Sequence, residues 1–257
     1  MATKLTCDDL IAEGEAVPTE GWDFSWFEGR ATEERPAWGY ARGVGERLGS
    51  ARAVLDIQTG GGEVSAAALR ASARVPDTVA ATESWAPNVK LARQALAPFG
   101  GTVAHVADEA ALPFGDGSFD LVVSRHPVVT VWPQIARVLA PGGSYFSQQV
   151  GPGTNRELTD FMMGPQPVGQ ARNPQRAVAG ATAEGLEVTD LREQALRVEF
   201  FDVAAVVYFL RKVIWTVPGF TVDGYRDQLR RMCEHIAANG SFVSHSRRFL
   251  IEARKPS

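Results

Sequence analysis

Residues 54–69 read VLDIQTGGGEVSAAAL. Val54 to Ile57 make an apolar run of strand length, Gly60, Gly61 and Gly62 allow a sharp turn, and Val64 to Leu69 form a helical stretch of small residues. Strand, glycine loop and helix in that order open a βαβ unit, and the flanking sequence repeats the alternation. AVLDI (53–57) predicts a first strand, VSAAALRASA (64–73) a helix and TVAATE (78–83) a second strand. APNVKLARQALAPF (86–99) predicts a helix with Pro87 in its first turn. TVAHVAD (102–108), FDLVVSR (119–125) and SYFSQQV (144–150) predict three more strands, and WPQIARVLAPGG (132–143) a helix that ends in glycine. Apolar strands alternating with helices bury both faces of a parallel sheet, so the expected fold is α/β and doubly wound.

Further out the pattern loosens. Residues 1–50 are rich in loops and aromatics (Trp22, Phe24, Trp26, Phe27, Trp38 and Tyr40) and predict a helical cap. After Val150 comes an irregular insert, 151–174, with one short helix. A helix and strand over 174–193, helices near 203–214 and 221–239, and a strand near 242–253 follow. The count is seven strands in a mostly parallel sheet. The organisation expected is a cap (1–50), a ligand-binding core (51–150), and a remainder (151–257) whose insert, strands and lid-like helices complete the same domain.

The glycine loop constrains its ligand. A triphosphate cradle needs a lysine and a hydroxyl after the last glycine, but Glu63 and Val64 stand there. A dinucleotide motif would run Gly60, Gly62, Ser65, where the last place should be small enough for close helix packing. Asp56, at the tip of the strand, would repel a pyrophosphate and pair with an ammonium. On these residues VLDIQTGGGE is similar to the first motif, strand-D-x-G-x-G-x-G, of class I S-adenosylmethionine-dependent methyltransferases. Gly60 and Gly62 take the second and third glycine places, and Gln58 replaces the first. ADEAALPFGDGSFDLVVS (107–124) resembles the D-A-x-x-L-P-F-x-D-x-S-F-D-x-V run of methyltransferases of the ubiquinone and menaquinone biosynthesis type. The likeness covers about residues 52–150.

The resemblance implies S-adenosylmethionine as cofactor and S-adenosylhomocysteine as product. It implies that Asp56, Gln58, Gly60, Gly61 and Gly62 meet the methionine end. With a negative φ Gln58 would still fit the loop, where its amide could touch the methionine carboxylate or its side chain crowd the site. Glu83, 21 residues beyond Gly62, would hold the ribose with Ser84 beside it. Asp108 and Glu109 would frame the adenine, with Ala110 packed on the ring. The segment SRHPVVTVW (124–132) follows a strand end, where ligands of open α/β sheets lie. It brings Ser124 to the cofactor and offers His126 either as a general base or as a structural residue under the loop. Trp22, Trp26, Phe201 and Trp215, with His126, are candidates for an acceptor pocket.

The chain has 257 residues, 45% of them apolar, and a net charge of −4. That total makes nucleic acid an unexpected partner, although an RNA methyltransferase and a non-catalytic cofactor-binding homologue remain alternatives to an enzyme acting on a small apolar or aromatic acceptor. Salt-steep binding would mark the first, and the glutamine in the glycine loop prompts the second. Adenine methylation in DNA would call for an N-P-P-Y-like segment, which 124–132 lacks. Cys7 and Cys233 are far apart and in no metal-like spacing, so neither a disulfide framework nor a bound metal is expected, and a reducing cytoplasm is. The most apolar stretch, 200–220, is interrupted by Asp202, Arg211 and Lys212, too soon to span a bilayer.

Overall fold

A computed structural model describes residues 5–19 and 24–257. The first elements are α1 (Cys7–Ala16), β1 (Ala31–Glu33), α2 (Tyr40–Leu48), β2 (Ala53–Asp56), α3 (Glu63–Ala71), β3 (Thr78–Glu83) and α4 (Ala86–Leu96). They are followed by β4 (Thr102–His105), β5 (Phe119–Arg125), α5 (Trp132–Val138), β6 (Leu139–Val150), α6 (Arg156–Met163) and α7 (Pro174–Ala183). The chain closes with β7 (Glu187–Phe200), α8 (Val203–Lys212), α9 (Arg226–Asn239) and β8 (Phe242–Arg254). The strands are hydrogen-bonded in the order β1-β7-β8-β6-β5-β2-β3-β4. β6, β5, β2, β3 and β4 are parallel, β8 is antiparallel to β6, and β1 is antiparallel to β7.

The residues form two compact units. The core unit comprises 36–151, 170–194 and 248–257; the other comprises the residues up to 35, 152–169 and 195–247. β7 and β8 each supply residues to both.

In the core unit, successive strand residues face opposite sides. Val79 and Ala81 join α2, α3 and α4 in one apolar cluster, whereas Ala80 joins α5 and α7 in another. Helices thus cover both faces of the parallel strands, as expected for a doubly wound sheet. Two differences from the expected elements have local causes. The helix from Trp132 stops at Val138, and Leu139 pairs with Phe119 to start β6 early. Register then shifts so that Leu121 pairs with Ser144. Pro141, which donates no hydrogen bond, lies in that irregular stretch. At Gly143 an added Cβ would lie 2.9 Å from the Ala140 carbonyl and 3.2 Å from those of Phe119 and Asp120. The eighth strand, β1, has only three residues.

In the other unit α1 opens with a capping box. Thr6 Oγ1 accepts from the Asp9 N–H (3.2 Å), and the Asp9 carboxylate accepts from the Thr6 N–H (2.9 Å). Ile11 packs with Val206, Leu210, Leu229 and Met232, which joins α1 to α8 and α9. Cys7 and Cys233 are joined in a disulfide with their Cα atoms 6.1 Å apart. The spacing argued against a disulfide framework, and this one bridge departs from that expectation. Sequence distance hid a pair that helix packing brings together. Among the described residues no helix is long and apolar enough to cross a membrane, and no group of three or more His, Cys, Asp or Glu is placed to hold a metal ion.

Candidate cofactor and acceptor site

β2 ends at Asp56, buried, and the chain turns through Gln58, Gly60 and Gly62, all at positive φ (57°, 66° and 77°). Gly62 caps α3, and a Cβ there would come within 3.1 Å of the Ala92 Cα, so the α3–α4 approach excludes a side chain. Asp56 Oδ2 accepts from the hydroxyls of Thr59 and Ser65, while Oδ1 has no hydrogen-bond partner among the described residues. Burial, opposed by those two hydrogen bonds, raises the Asp56 carboxyl to about 6.

Gln58 departs from expectation twice. Its φ is positive rather than negative, and its amide is directed to the loop after β5. Nε2 donates to the Val129 carbonyl (2.8 Å), and Oε1 accepts from the Val128 N–H (2.6 Å). The two-point bridge offsets the cost of a left-handed backbone at a residue with a Cβ.

β3 ends at Glu83, also buried. Its Oε2 accepts from the Gly60 N–H (2.8 Å) and its Oε1 from the Trp85 N–H (2.9 Å), tying the glycine loop to the start of α4. The Ser84 carbonyl accepts from His105 Nε2 (2.9 Å). Asp108 lies three residues beyond β4, followed by the exposed Glu109 and Ala110. A cavity opens beside these loops, lined by Ile57, Gln58, Asp108, Ala110, Ser124 and Val129 among others. Four of the expected cofactor residues therefore meet at one cavity, and Asp56 and Glu83 brace its loop. Ser124 Oγ is engaged with Tyr145 (2.6 Å) and Ser147 (2.9 Å) in a buried hydroxyl cluster.

β5 ends at Arg125, and His126 follows at φ 54°. The His126 N–H donates to the Gln148 carbonyl (2.7 Å). Trp38 Nε1, which can only donate, meets Gln148 Oε1 (2.8 Å), so Gln148 Nε2 is the donor to His126 Nε2 (2.9 Å). The imidazole thus carries its proton on Nδ1. Burial first, and then the charges of Arg248, Arg125 and Arg172, push its pKa down to about 2. The expectation of a general base at His126 is unsupported here: the ring nitrogen that would take a proton is engaged, and the ring is hard to protonate.

Of the residues expected around the acceptor, Trp26, Phe201 and Trp215 belong to the other unit, and Trp22 lies outside the described residues. Trp26 packs edge-on to Tyr208 (5.0 Å between ring centroids) under the Arg30 guanidinium (4.3 Å). Phe201 and Trp215 are exposed. The sequence reading missed Thr59 and Ser65, which hold Asp56, and the pair Trp38 and Gln148, which orients His126. The two hydroxyls close to Asp56 in the glycine motif were a usable signal; nothing in the sequence links residue 38 to residue 148.

Residues 55–147 match a family model described as a methyltransferase domain. Among solved structures the chain is similar to the YcgJ protein of Bacillus subtilis, with a TM-score of 0.58, 18% identity, and 84% of this chain and 98% of that one covered. It is similar to a functionally unknown protein of Deinococcus radiodurans R1, with a TM-score of 0.61, 18% identity, and 88% and 90% covered. It is also similar to a phosphoethanolamine N-methyltransferase 2 of Haemonchus contortus in complex with phosphomonomethylethanolamine and S-adenosylhomocysteine. That TM-score is 0.54, with 16% identity, 99% of this chain and 61% of that one covered. No curated protein matches the chain in sequence. The match over 55–147 thus shows a methyltransferase domain on the doubly wound core, glycine loop included.

Proposed function

We propose that the enzyme methylates an oxygen, nitrogen or carbon of a small acceptor with an apolar or aromatic body, and that the cofactor lies along the loops ending β2, β3 and β4. The observation that carries the cofactor's placement is the open oxygen of Asp56. A buried carboxylate whose Oδ1 has no partner among the described residues fits an ammonium. Glu83, held by two backbone N–H groups, keeps lone pairs for ribose hydroxyls, and Asp108 at the cavity wall can accept from an exocyclic amine. When bound, S-adenosylmethionine supplies a sulfonium-activated methyl group. The chain's own contribution is orientation: the loops align the acceptor atom for in-line displacement and keep water out of its path.

His126 enters this reading as a neutral donor through Nδ1 rather than as a base. Beyond the cofactor residues the cavity wall is apolar, with Pro127, Val129, Val131 and Ile135, and favours an acceptor with an apolar or aromatic body.

Calorimetric titration with S-adenosylmethionine and S-adenosylhomocysteine tests the cofactor site. Glu83→Ala and Asp108→Ala should each weaken binding about tenfold or more, as loss of a charge-assisted hydrogen bond costs about 1.5–3 kcal/mol. Unchanged affinity in either variant would remove that residue from the site.

A further inference from the structure

We propose that the acceptor carries an oxyanion, a carboxylate or a phosphate monoester, held by Arg125 and Arg172 with Arg248 and the His126 Nδ1–H beside them. This deepens, and rests on, the reading of the core unit as the site of methyl transfer.

Strand register carries the geometry. Arg125 of β5 pairs with Gln148 of β6, which pairs with Leu250 of β8, two residues from Arg248. Aligned residues share a sheet face, and every second residue returns to it. Arg125 and Arg248 therefore stand on the face that bears Gln148, toward the carboxyl end of the parallel strands, where ligands of this sheet type lie. Arg172, in the loop before α7, lies close enough for its charge, like those of the other two, to act on His126.

Nearby arginines with structural roles have acids: Arg47 meets Glu252 at 2.6 Å, and Arg137 meets Asp116 at 2.9 Å. Arg125 and Arg172 have no carboxylate partner among the described residues. The chain's net charge is −4, so these cations gathered at one strand end are not part of a general basic surface. Like charges brought together cost energy that a counter-ion offsets. His126 adds no acceptor, since Gln148 engages Nε2 and leaves Nδ1–H to donate. Guanidinium forks and one N–H form a donor-only set, which suits the several lone pairs of an oxyanion.

The test uses the full chain loaded with S-adenosylhomocysteine, titrated calorimetrically with phenyl phosphate, benzoate and the neutral isostere benzamide. At least one anion should bind about tenfold tighter than benzamide. Arg125→Gln and Arg172→Gln should each reduce that preference several-fold, with S-adenosylhomocysteine affinity unchanged as evidence of intact folding. Preference for phenyl phosphate over benzoate would assign a phosphate, and the reverse a carboxylate. Benzamide binding as tightly as both anions, no binding of either anion, or native anion affinity in both variants would overturn the proposal. Failure to bind S-adenosylhomocysteine at all would instead sink the methyl-transfer reading itself.

Discussion

Gln58 combines a left-handed backbone with a side chain bonded at both ends of its amide, and the two contributions can be separated. Gln58→Ala keeps the backbone conformation and loses the bridge to Val128 and Val129. It should cost about 1–3 kcal/mol in a urea melt, from two hydrogen bonds of about 0.5–1.5 kcal/mol each. Gln58→Gly loses the same bridge but relieves a left-handed conformation that costs a side-chain-bearing residue about 1–2 kcal/mol, and should melt close to the native protein. Equal losses in the two variants would mean that the backbone at 58 is not under strain. Asp56 gives a pH signature. Its carboxyl, raised to about 6 in the fold against 3.8 ordinarily, takes up a proton on folding between those values. Its contribution to stability is therefore full below about pH 4 and lost as pH rises through about 6, and Asp56→Asn should flatten that limb of the stability profile. Cofactor affinity should run the opposite way, weakening as pH falls through about 6, because an ammonium needs the ionised carboxylate. A calorimetric pH series with no such step would remove Asp56 from the methionine end.

The loop after β5 is held by residues from three other parts of the core unit: Gln58, Gln148 and, through Gln148, Trp38. Nitrogen-15 NMR of labelled histidine should therefore show His126 as the Nδ1–H tautomer, without protonation down to about pH 3. Turnover in His126→Ala should keep the native shape of its pH profile above pH 5. A limb near neutrality that vanishes in that variant would restore the base. How much of this was legible follows from what holds each element. The ends of β3 and β5 could be read because their apolar runs stop at Glu83 and Arg125; burial ends with Glu83 itself in β3 and with Ser124 in β5. The end of α5 could not, since Leu139 leaves the helix to pair with Phe119, a contact twenty positions back. β1 could not either: three residues cannot show a period, and the strand exists through its partners Val198 to Phe200. The glycine loop announced its carboxylate, but the destination of the Gln58 amide depends on a loop seventy residues away.

At the scale of the whole molecule, composition bounded the class of protein and misjudged its covalent structure. Counting two cysteines far apart argued against a disulfide framework, yet α1 and α9 share an apolar cluster and bring Cys7 to Cys233. Thiol labelling of the unreduced, unfolded protein should find no reactive cysteine, and two after reduction. Replacing both cysteines by serine should lower stability by about 2–4 kcal/mol, chiefly in the unit that contains α1, α8 and α9. Full labelling without reductant would refute the bond. Because the bridge spans 226 positions, everything between Cys7 and Cys233 is a closed ring. One protease cut anywhere inside that ring opens it without releasing a fragment. A nicked molecule would then travel as a single species on a denaturing gel and part into two only when a reductant is added.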